Sequence, residues 1–206
     1  MNTKWILYGL FFSLLPVSVK AADNRVGIDL YESGMTGAAK VFFLDNLPTL
    51  TDNVRQAEAC YYLGECYLTL GQRDSAGFYY DKGVGLQPDY PYNRVGQASL
   101  KLNDDLSGAE ALLKDALGTK GYKKDATLQI AIARAYLHAG DAAKAMEHVN
   151  KAKELDDKSG LPYLVEGDIL VMQGHTGDAC AKYESATYFS PDCLGAYLKQ
   201  AQIYMS

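Results

Sequence analysis

The sequence predicts an all-α fold, a solenoid of antiparallel helix pairs, on two observations. The first is an internal repeat: six residues recur at a fixed offset of 103 positions. This offset is three periods of about 34 residues plus one, and about 34 residues is the length of one helix-turn-helix repeat. The second is that the repeated residues fall at helical spacing. The recurring residues are Gly64, Gly71, Ala76, Tyr80, Pro88 and Asp89, which reappear as Gly167, Gly174, Ala179, Tyr183, Pro191 and Asp192.

The unit that begins at Ala57 shows why each position has its residue type. Small residues allow two helix backbones to approach, and large residues fill the space beside the crossing. We expect Gly71 to end the first helix with a positive φ and Pro88 to end the second helix. The small residues are Gly64, Ala76 and Gly83, and the large residues are Leu63, Tyr67 and Tyr80.

Other units follow the same pattern with different fidelity. The units from Ala126 and Gly160 are spaced by one repeat length with no gap, whereas the unit from about Tyr90 has Gln97 at a small-residue site. The last stretch corresponds to the first helix of a unit. We therefore divide the chain into a signal peptide at 1–21 and an array at 22–206, with units at about 22–53, 57–89, 90–122, 126–159, 160–193 and a partial unit at 194–206.

This arrangement of small and large positions resembles the tetratricopeptide repeat (TPR) over nearly all of the chain after residue 21. The resemblance implies a right-handed superhelix in which the first helix of each pair lines a concave face. It also implies which side chains face the groove, at positions 2, 5, 9, 12 and 13 of each unit. The candidate partner-binding residues are Tyr61, Glu65, Leu68, Ile130, Arg134, Leu164, Asp168 and Met172.

These residues predict a groove of mixed apolar and acidic character. Some members of the family hold a peptide carboxylate with Lys and Asn at positions 5 and 9, and no unit here has that pair, which argues against such a clamp. We expect an extended or helical segment of another protein to dock through Tyr61 and Leu164. The alternative is that the superhelix itself, or a further part of the chain, covers these apolar residues.

The N-terminus has the pattern of a cleaved secretory signal. Lys4 precedes an apolar run from Trp5 to Val19, and small or branched residues at Val19 and Ala21 predict cleavage after Ala21. The run is shorter than the roughly 20 residues of a membrane-spanning helix, although an uncleaved anchor is the alternative. The sequence therefore predicts export to a periplasm or cell envelope, with secretion as the alternative, and no integral membrane span after cleavage.

Composition and motifs give no support for catalysis. The formal net charge of −5 argues against nucleic acid or an anionic membrane as the main partner. The three His residues are separated in repeat register, and no metal-ligand spacing or nucleophile motif occurs. We expect Asp104–Asp105 and Asp156–Asp157 to bond backbone donors in turns rather than a metal. The prediction is a protein without enzymatic activity, cofactor or metal.

The four Cys residues are interpreted as small buried apolar residues. Cys60 and Cys66 are six residues apart on one predicted helix, a separation of about 9 Å, which is too long for a disulfide. A bridge between Cys180 and Cys193 is conceivable, but nothing in the sequence supports it.

The final predicted helix has apolar residues on several sides, which is unusual for the end of a solenoid. We expect either that the array continues in a longer protein or that this helix docks on another surface. The leading interpretation is an exported scaffold or adaptor for protein–protein interaction. The alternatives are an appendage to a catalytic or sensory domain beyond Ser206 and an accessory module that binds glycan or peptidoglycan in the cell envelope. The apolar residues of the final helix are Leu194, Tyr197, Leu198, Ile203 and Met205.

Overall fold

A computed structural model describes residues 23–205, and every regular element in this range is helical. The predicted signal peptide at 1–21 lies outside the described residues. The all-α fold class is confirmed. The helices are α1 (Arg25–Glu32), α2 (Thr36–Asn46), α3 (Asn53–Thr69), α4 (Arg73–Leu86), α5 (Tyr92–Ser99), α6 (Leu106–Gly118), α7 (Ala126–His138), α8 (Ala142–Leu155), α9 (Leu161–Met172), α10 (Thr176–Phe189) and α11 (Leu194–Tyr204), with a short 3-10 turn at Leu47–Thr49.

Helix ends follow the local sequence. The carboxylates of Asp52, Asp105, Asp125 and Asp141 accept a hydrogen bond from the backbone N–H three residues later, which satisfies a free donor at a helix start. Asp105 thus has the turn role predicted for it. Glycines with positive φ follow the first helix of four pairs, a backbone conformation that residues with a Cβ rarely adopt. They are Gly34, Gly71, Gly140 and Gly174.

The 103-residue repeat has a direct packing explanation. A Cβ atom added to Gly64 would lie 2.1 Å from the ring of Tyr80, and one added to Gly167 would lie 2.3 Å from the ring of Tyr183. In both pairs a tyrosine from the second helix therefore rests directly on the backbone of the first helix. Any larger residue at either glycine would force the two helices apart.

The first helix of the unit at about 90–122, α5, packs on the preceding pair through a glycine next to Gln97. Gly96 is the residue that packs against Tyr80, since a Cβ added there would lie 2.2 Å from its ring. Gln97 is only half-buried and donates to the carboxylate of Asp81 at 2.7 Å.

The superhelix curves so strongly that its first and last helices touch. Gly195 of α11 lies against the end of α1, where an added Cβ would be 2.5 Å from the carbonyl oxygen of Glu32. Arg25 and Asp192 form an exposed ion pair across the same junction at 3.7 Å. The described chain is therefore a closed ring of helix pairs rather than an open arc.

All four Cys residues are free thiols, as predicted for Cys60 and Cys66. Cys60, Cys66 and Cys180 are buried. Burial raises the pKa of Cys60 to about 11 and that of Cys66 to about 12, so both thiols stay protonated and unreactive at neutral pH.

Candidate functional site

Most of the predicted groove residues are covered by neighbouring helices. Tyr61, Ile130 and Leu164 are exposed to 2%, 1% and 0%. Glu65 and Arg134 are also buried. Leu68 and Asp168 are half-buried, and Met172 alone is exposed among the eight. The superhelix thus covers the apolar residues, which is the alternative left open by the sequence, and a partner cannot reach Tyr61 or Leu164 while the ring is closed.

Glu65 is the centre of a buried polar cluster. The hydroxyl of Tyr80 donates to its carboxylate at 2.7 Å and the hydroxyl of Tyr31 donates at 3.1 Å. Nε2 of His138 lies 3.4 Å from the same carboxylate. Burial raises the pKa of Glu65, but hydrogen bonds from His138 and Tyr80 and the charge of Arg134 outweigh it, so the pKa lies below its usual value. Glu65 is therefore ionised inside the ring.

An ion pair between Arg134 and Glu32 joins α7 to α1 across the ring. Both side chains are about nine-tenths buried, and the Arg134 guanidinium lies 5.4 Å from the centre of the Tyr31 ring. Burial lowers the pKa of Arg134, but the neighbouring Glu32 raises it well above its usual value. This pair holds the first helix over the cluster around Glu65.

Asp168 occupies the same repeat position as Glu65 but is less enclosed. The Tyr183 hydroxyl donates to it at 2.8 Å, and Nζ of Lys199 donates to its two oxygens at 2.7 and 2.5 Å. The Asp168 side chain keeps 23% of its surface exposed. The Lys199 contact joins α9 to α11, so it also holds the last helix in the ring.

A small polar pocket opens between these two clusters, with a volume of about 160 Å³. Ligand pockets typically measure about 300–1,000 Å³, so this opening is small for an extended peptide. Its charged walls are already paired with one another, Glu32 with Arg134 and Asp168 with Lys199. The pocket is lined by Tyr31, Glu32, Gly34, Thr36, Thr69, Arg134, Leu137, His138, Asp168 and Lys199. Its chemistry is that of a polar core, and these described lining residues offer a ligand no unpaired charge.

The sequence held a signal for the role of Glu65 and Asp168 that the groove prediction missed. In both units a Gly precedes the acid and a Tyr follows it by 15 residues, and the structure joins that Tyr to the acid. The unit from Ala126, with Arg134 in place of the acid, has Val149 in place of the Tyr. The acid is therefore the partner of the tyrosine that rests on the Gly backbone. Glu32, Tyr31 and Lys199, which complete the clusters, come from the ends of the chain and carry no such signal.

The outer face of α11 is an apolar surface that no helix of the described chain covers. We name it the α11 stripe. Its residues lie within one third of the helix circumference and all are exposed, with Tyr204 exposed to 71%. The stripe consists of Leu194, Tyr197, Leu198, Ala201, Tyr204 and Met205.

Within residues 23–205, no group of His, Cys, Asp or Glu side chains lies close enough together to hold a metal ion. Over the same range, no helix has the length and apolar character that crossing a membrane requires.

Stacked helix pairs with Gly–Tyr crossings define an α-solenoid of the TPR type. A tetratricopeptide repeat family model matches residues 57–90 and 126–159. These two segments are tetratricopeptide repeats, and together with the fold they support the TPR family for this chain.

Known proteins share this fold. A solved thermophilic TPR protein from Thermus thermophilus has a TM-score of 0.54 and 24% identity, over 88% of this chain and 97% of its own. A tetratricopeptide repeat protein from Parabacteroides merdae has a TM-score of 0.53 and 19% identity, over 89% of this chain and 70% of its own. The Arabidopsis thaliana protein CTR9 homolog is 27% identical over 146 residues, which are 68% of this chain but only 13% of that protein. The likeness to the solved structures is one of fold.

Proposed function

We propose that this protein is an exported scaffold that binds a protein partner through the α11 stripe and has no catalytic activity of its own. TPR folds are typically scaffolds, which supports the binding role at the level of the class. The observation that carries the proposal for this chain is the exposed stripe on α11. Export rests on the N-terminal signal pattern of the sequence.

The neighbouring pair shows what normally covers such a stripe. In α9, Tyr163 stacks on Phe189 of α10 with ring centres 4.8 Å apart, and Gly167 lies beneath Tyr183 of α10. Tyr197 and Ala201 of α11 occupy the same repeat positions as Tyr163 and Gly167. In α11 these residues meet no second helix in the described chain, so the face has the residues of a helix-packing surface.

Docking of a segment inside the ring, through Tyr61 and Leu164, is the second candidate. It requires that the helices around these two residues separate, because both side chains are buried. Gly195 provides a way to force that separation, since a side chain at this position would collide with the backbone of Glu32.

Three variants distinguish the two faces. Tyr204→Lys puts a charge on the α11 stripe, Gly195→Val opens the ring, and Phe78→Lys is the control because Phe78 is a similarly exposed aromatic residue elsewhere, at 62%. Partners are captured by crosslinking in the native compartment and identified by mass spectrometry. We expect Tyr204→Lys to lose the partner that the wild type, Phe78→Lys and Gly195→Val retain.

Unchanged capture by Tyr204→Lys would overturn docking on the stripe. If, in addition, Gly195→Val captured more partner than the wild type, the inner face would be the binding surface. Small-angle scattering of Gly195→Val verifies that the ring has opened, because its radius of gyration should increase.

A further inference from the structure

We propose that the connection between α6 and α7, residues 119–125, binds an acidic segment of a partner protein together with the cleft beside it. We name this connection the basic turn. It is separate from the α11 stripe and adds a second docking surface to the scaffold. The proposal rests on the charge of the turn, on lysines that have no partner, and on the cations that line the cleft.

The basic turn differs in charge from the other connections between successive helix pairs in the described chain. Each of those four connections has a net charge of −1 from its side chains, whereas the basic turn has three lysines against one acid and a net charge of +2. It is also the longest of the five, with seven residues. Insertions in one unit of a repeat protein lie in loops, often on the binding face. The other four connections are 47–52, 87–91, 156–160 and 190–193.

The fold gives no reason for the lysines of the basic turn. Lys123 and Lys124 directly precede the start of α7, where the positive end of the helix dipole disfavours a cation. Within residues 23–205, neither ammonium group has an ion pair or a hydrogen bond, and the same holds for the exposed Lys114 and Lys120. Four cations next to one another are therefore available to a ligand.

The backbone of the basic turn is fixed by its neighbours. The Tyr122 ring packs edge-to-face against Tyr92 and Tyr90, with ring centres 6.1 and 6.5 Å apart. The backbone N–H of Asp125 donates to the carbonyl oxygen of Tyr122 at 3.1 Å, and the Tyr92 hydroxyl donates to the Asp125 carboxylate at 3.1 Å. A turn that is already ordered loses less conformational entropy on binding, which favours it as a docking surface.

A cleft of about 540 Å³ lies between the basic turn, the end of α6 and the start of α5. This volume falls within the range that is typical of ligand pockets. Three cations line the cleft, Arg94, Lys114 and Lys120, and they outnumber its two acids, Asp89 and Asp115. The lysines of the turn and those of the cleft therefore form one positive surface on a chain whose net charge is −5.

Carboxylates suit this surface better than phosphates. Nε of Arg94 lies 3.2 Å from the Asp115 carboxylate, and Nη1 donates to the hydroxyl of Thr119 at 3.1 Å. The planar, two-pronged donor that recognises phosphate is thus occupied within the protein, and the lysines remain as point charges. The acidic chain as a whole repels an extended polyanion such as DNA or an anionic membrane, whereas a short acidic segment contacts only the local lysines.

Binding of a fluorescein-labelled peptide of eight glutamates to the purified protein, followed by fluorescence anisotropy at low salt, tests the proposal. The test variant replaces the three lysines of the turn: Lys120→Gln, Lys123→Gln and Lys124→Gln. The control has the same net charge, because it replaces three exposed lysines on and after other helices: Lys82→Gln, Lys151→Gln and Lys158→Gln.

We expect the test variant to bind the peptide at least about tenfold more weakly than the wild type, since one exposed charge pair changes affinity by up to about fivefold. The control should stay within about twofold of the wild type. Physiological salt should weaken binding of the wild type, because it screens exposed charges beyond about 8 Å. Circular dichroism of both variants verifies that they remain folded.

Three results would overturn the proposal: no binding of the peptide to the wild type, equal losses in the test variant and the control, or tighter binding of duplex DNA or phosphatidylserine vesicles than of the peptide. The last result would assign the turn to nucleic acid or to a membrane. The proposed function is judged separately, by capture that depends on Tyr204, so failure at either surface leaves the other in place.

Discussion

Glu65 and Asp168 occupy the same position in two repeat units 103 residues apart, yet they have different surroundings. Each accepts a hydrogen bond from the tyrosine that rests on the preceding glycine. Glu65 is sealed, because α1 covers it and supplies Tyr31 as a second donor. Asp168 is open to the pocket and relies on Lys199 of α11. The repeat thus determines the local tyrosine–acid bond, whereas the ring determines how much solvent reaches it.

The largest expected difference between the two sites comes from neutralising each acid. Glu65→Gln leaves Arg134 and His138 with a weaker partner in a buried site, and we expect it to lower the free energy of unfolding by about 2 to 4 kcal/mol. Asp168→Asn leaves Lys199 able to reach water, and we expect a loss of about 1 kcal/mol or less. Urea denaturation followed by circular dichroism measures both. Equal losses would contradict the distinction between a sealed and an open site.

Removing each tyrosine hydroxyl should also lower the free energy of unfolding more at the Glu65 site than at the Asp168 site. Both losses should be smaller than those from neutralising the acids. Tyr80→Phe deletes a donor to a buried carboxylate, and we expect a loss of about 1.5 to 3 kcal/mol. Tyr183→Phe deletes the equivalent donor to Asp168, where Lys199 and solvent compensate, so the expected loss is about 0.5 kcal/mol. Both variants keep the ring that rests on the glycine, so packing is matched. A larger loss in Tyr183→Phe than in Tyr80→Phe would reverse the comparison.

The pH dependence should isolate the contribution of Glu65. Burial raises its pKa, but the His138 and Tyr80 hydrogen bonds and the Arg134 charge lower it by more, so its pKa is depressed in the folded state. The unfolded protein then binds more protons in acid, and the stability that Glu65 adds above its unfolded pKa of about 4.3 is lost as the pH falls through the folded value. The stability gap between the wild type and Glu65→Gln should begin to narrow below about pH 5 and continue to narrow as the pH falls further.

His148 contributes a second acid-sensitive effect that cancels in that difference. Burial, with the charges of Lys151 and Lys144, lowers the pKa of His148 to about 4. Acidification from about pH 6.5 downward therefore destabilises the wild type and the Glu65→Gln variant alike. A gap that stayed constant or widened in acid would show that Glu65 is not held ionised by its surroundings.

Local features were predictable from the sequence because short-range physics produces them. The positive φ of Gly71 and the tight contact of Gly64 with the second helix follow from residue size and spacing. The contact of Gly96 was not predicted, because Gly96 packs on Tyr80 of the preceding pair and the repeat positions describe packing within one pair. Closure of the ring could not be predicted from the sequence. It depends on small rotations added over successive pair-to-pair contacts, and its bonds, such as that between Glu32 and Arg134, join helices that are several pairs apart in the stack.

Contact between α1 and α11 changes how such a stack should come apart. In an open array each helix pair contacts only its neighbours, so unfolding proceeds from the ends by fraying. Here the ion pair between Glu32 and Arg134 joins residues 102 positions apart, and the terminal helices are in close contact at Gly195. The terminal pairs therefore lose their independence, and the chain should unfold as one cooperative unit. The cost is kinetic: this long-range contact raises the contact order, so folding should be slower than in an open array of the same length.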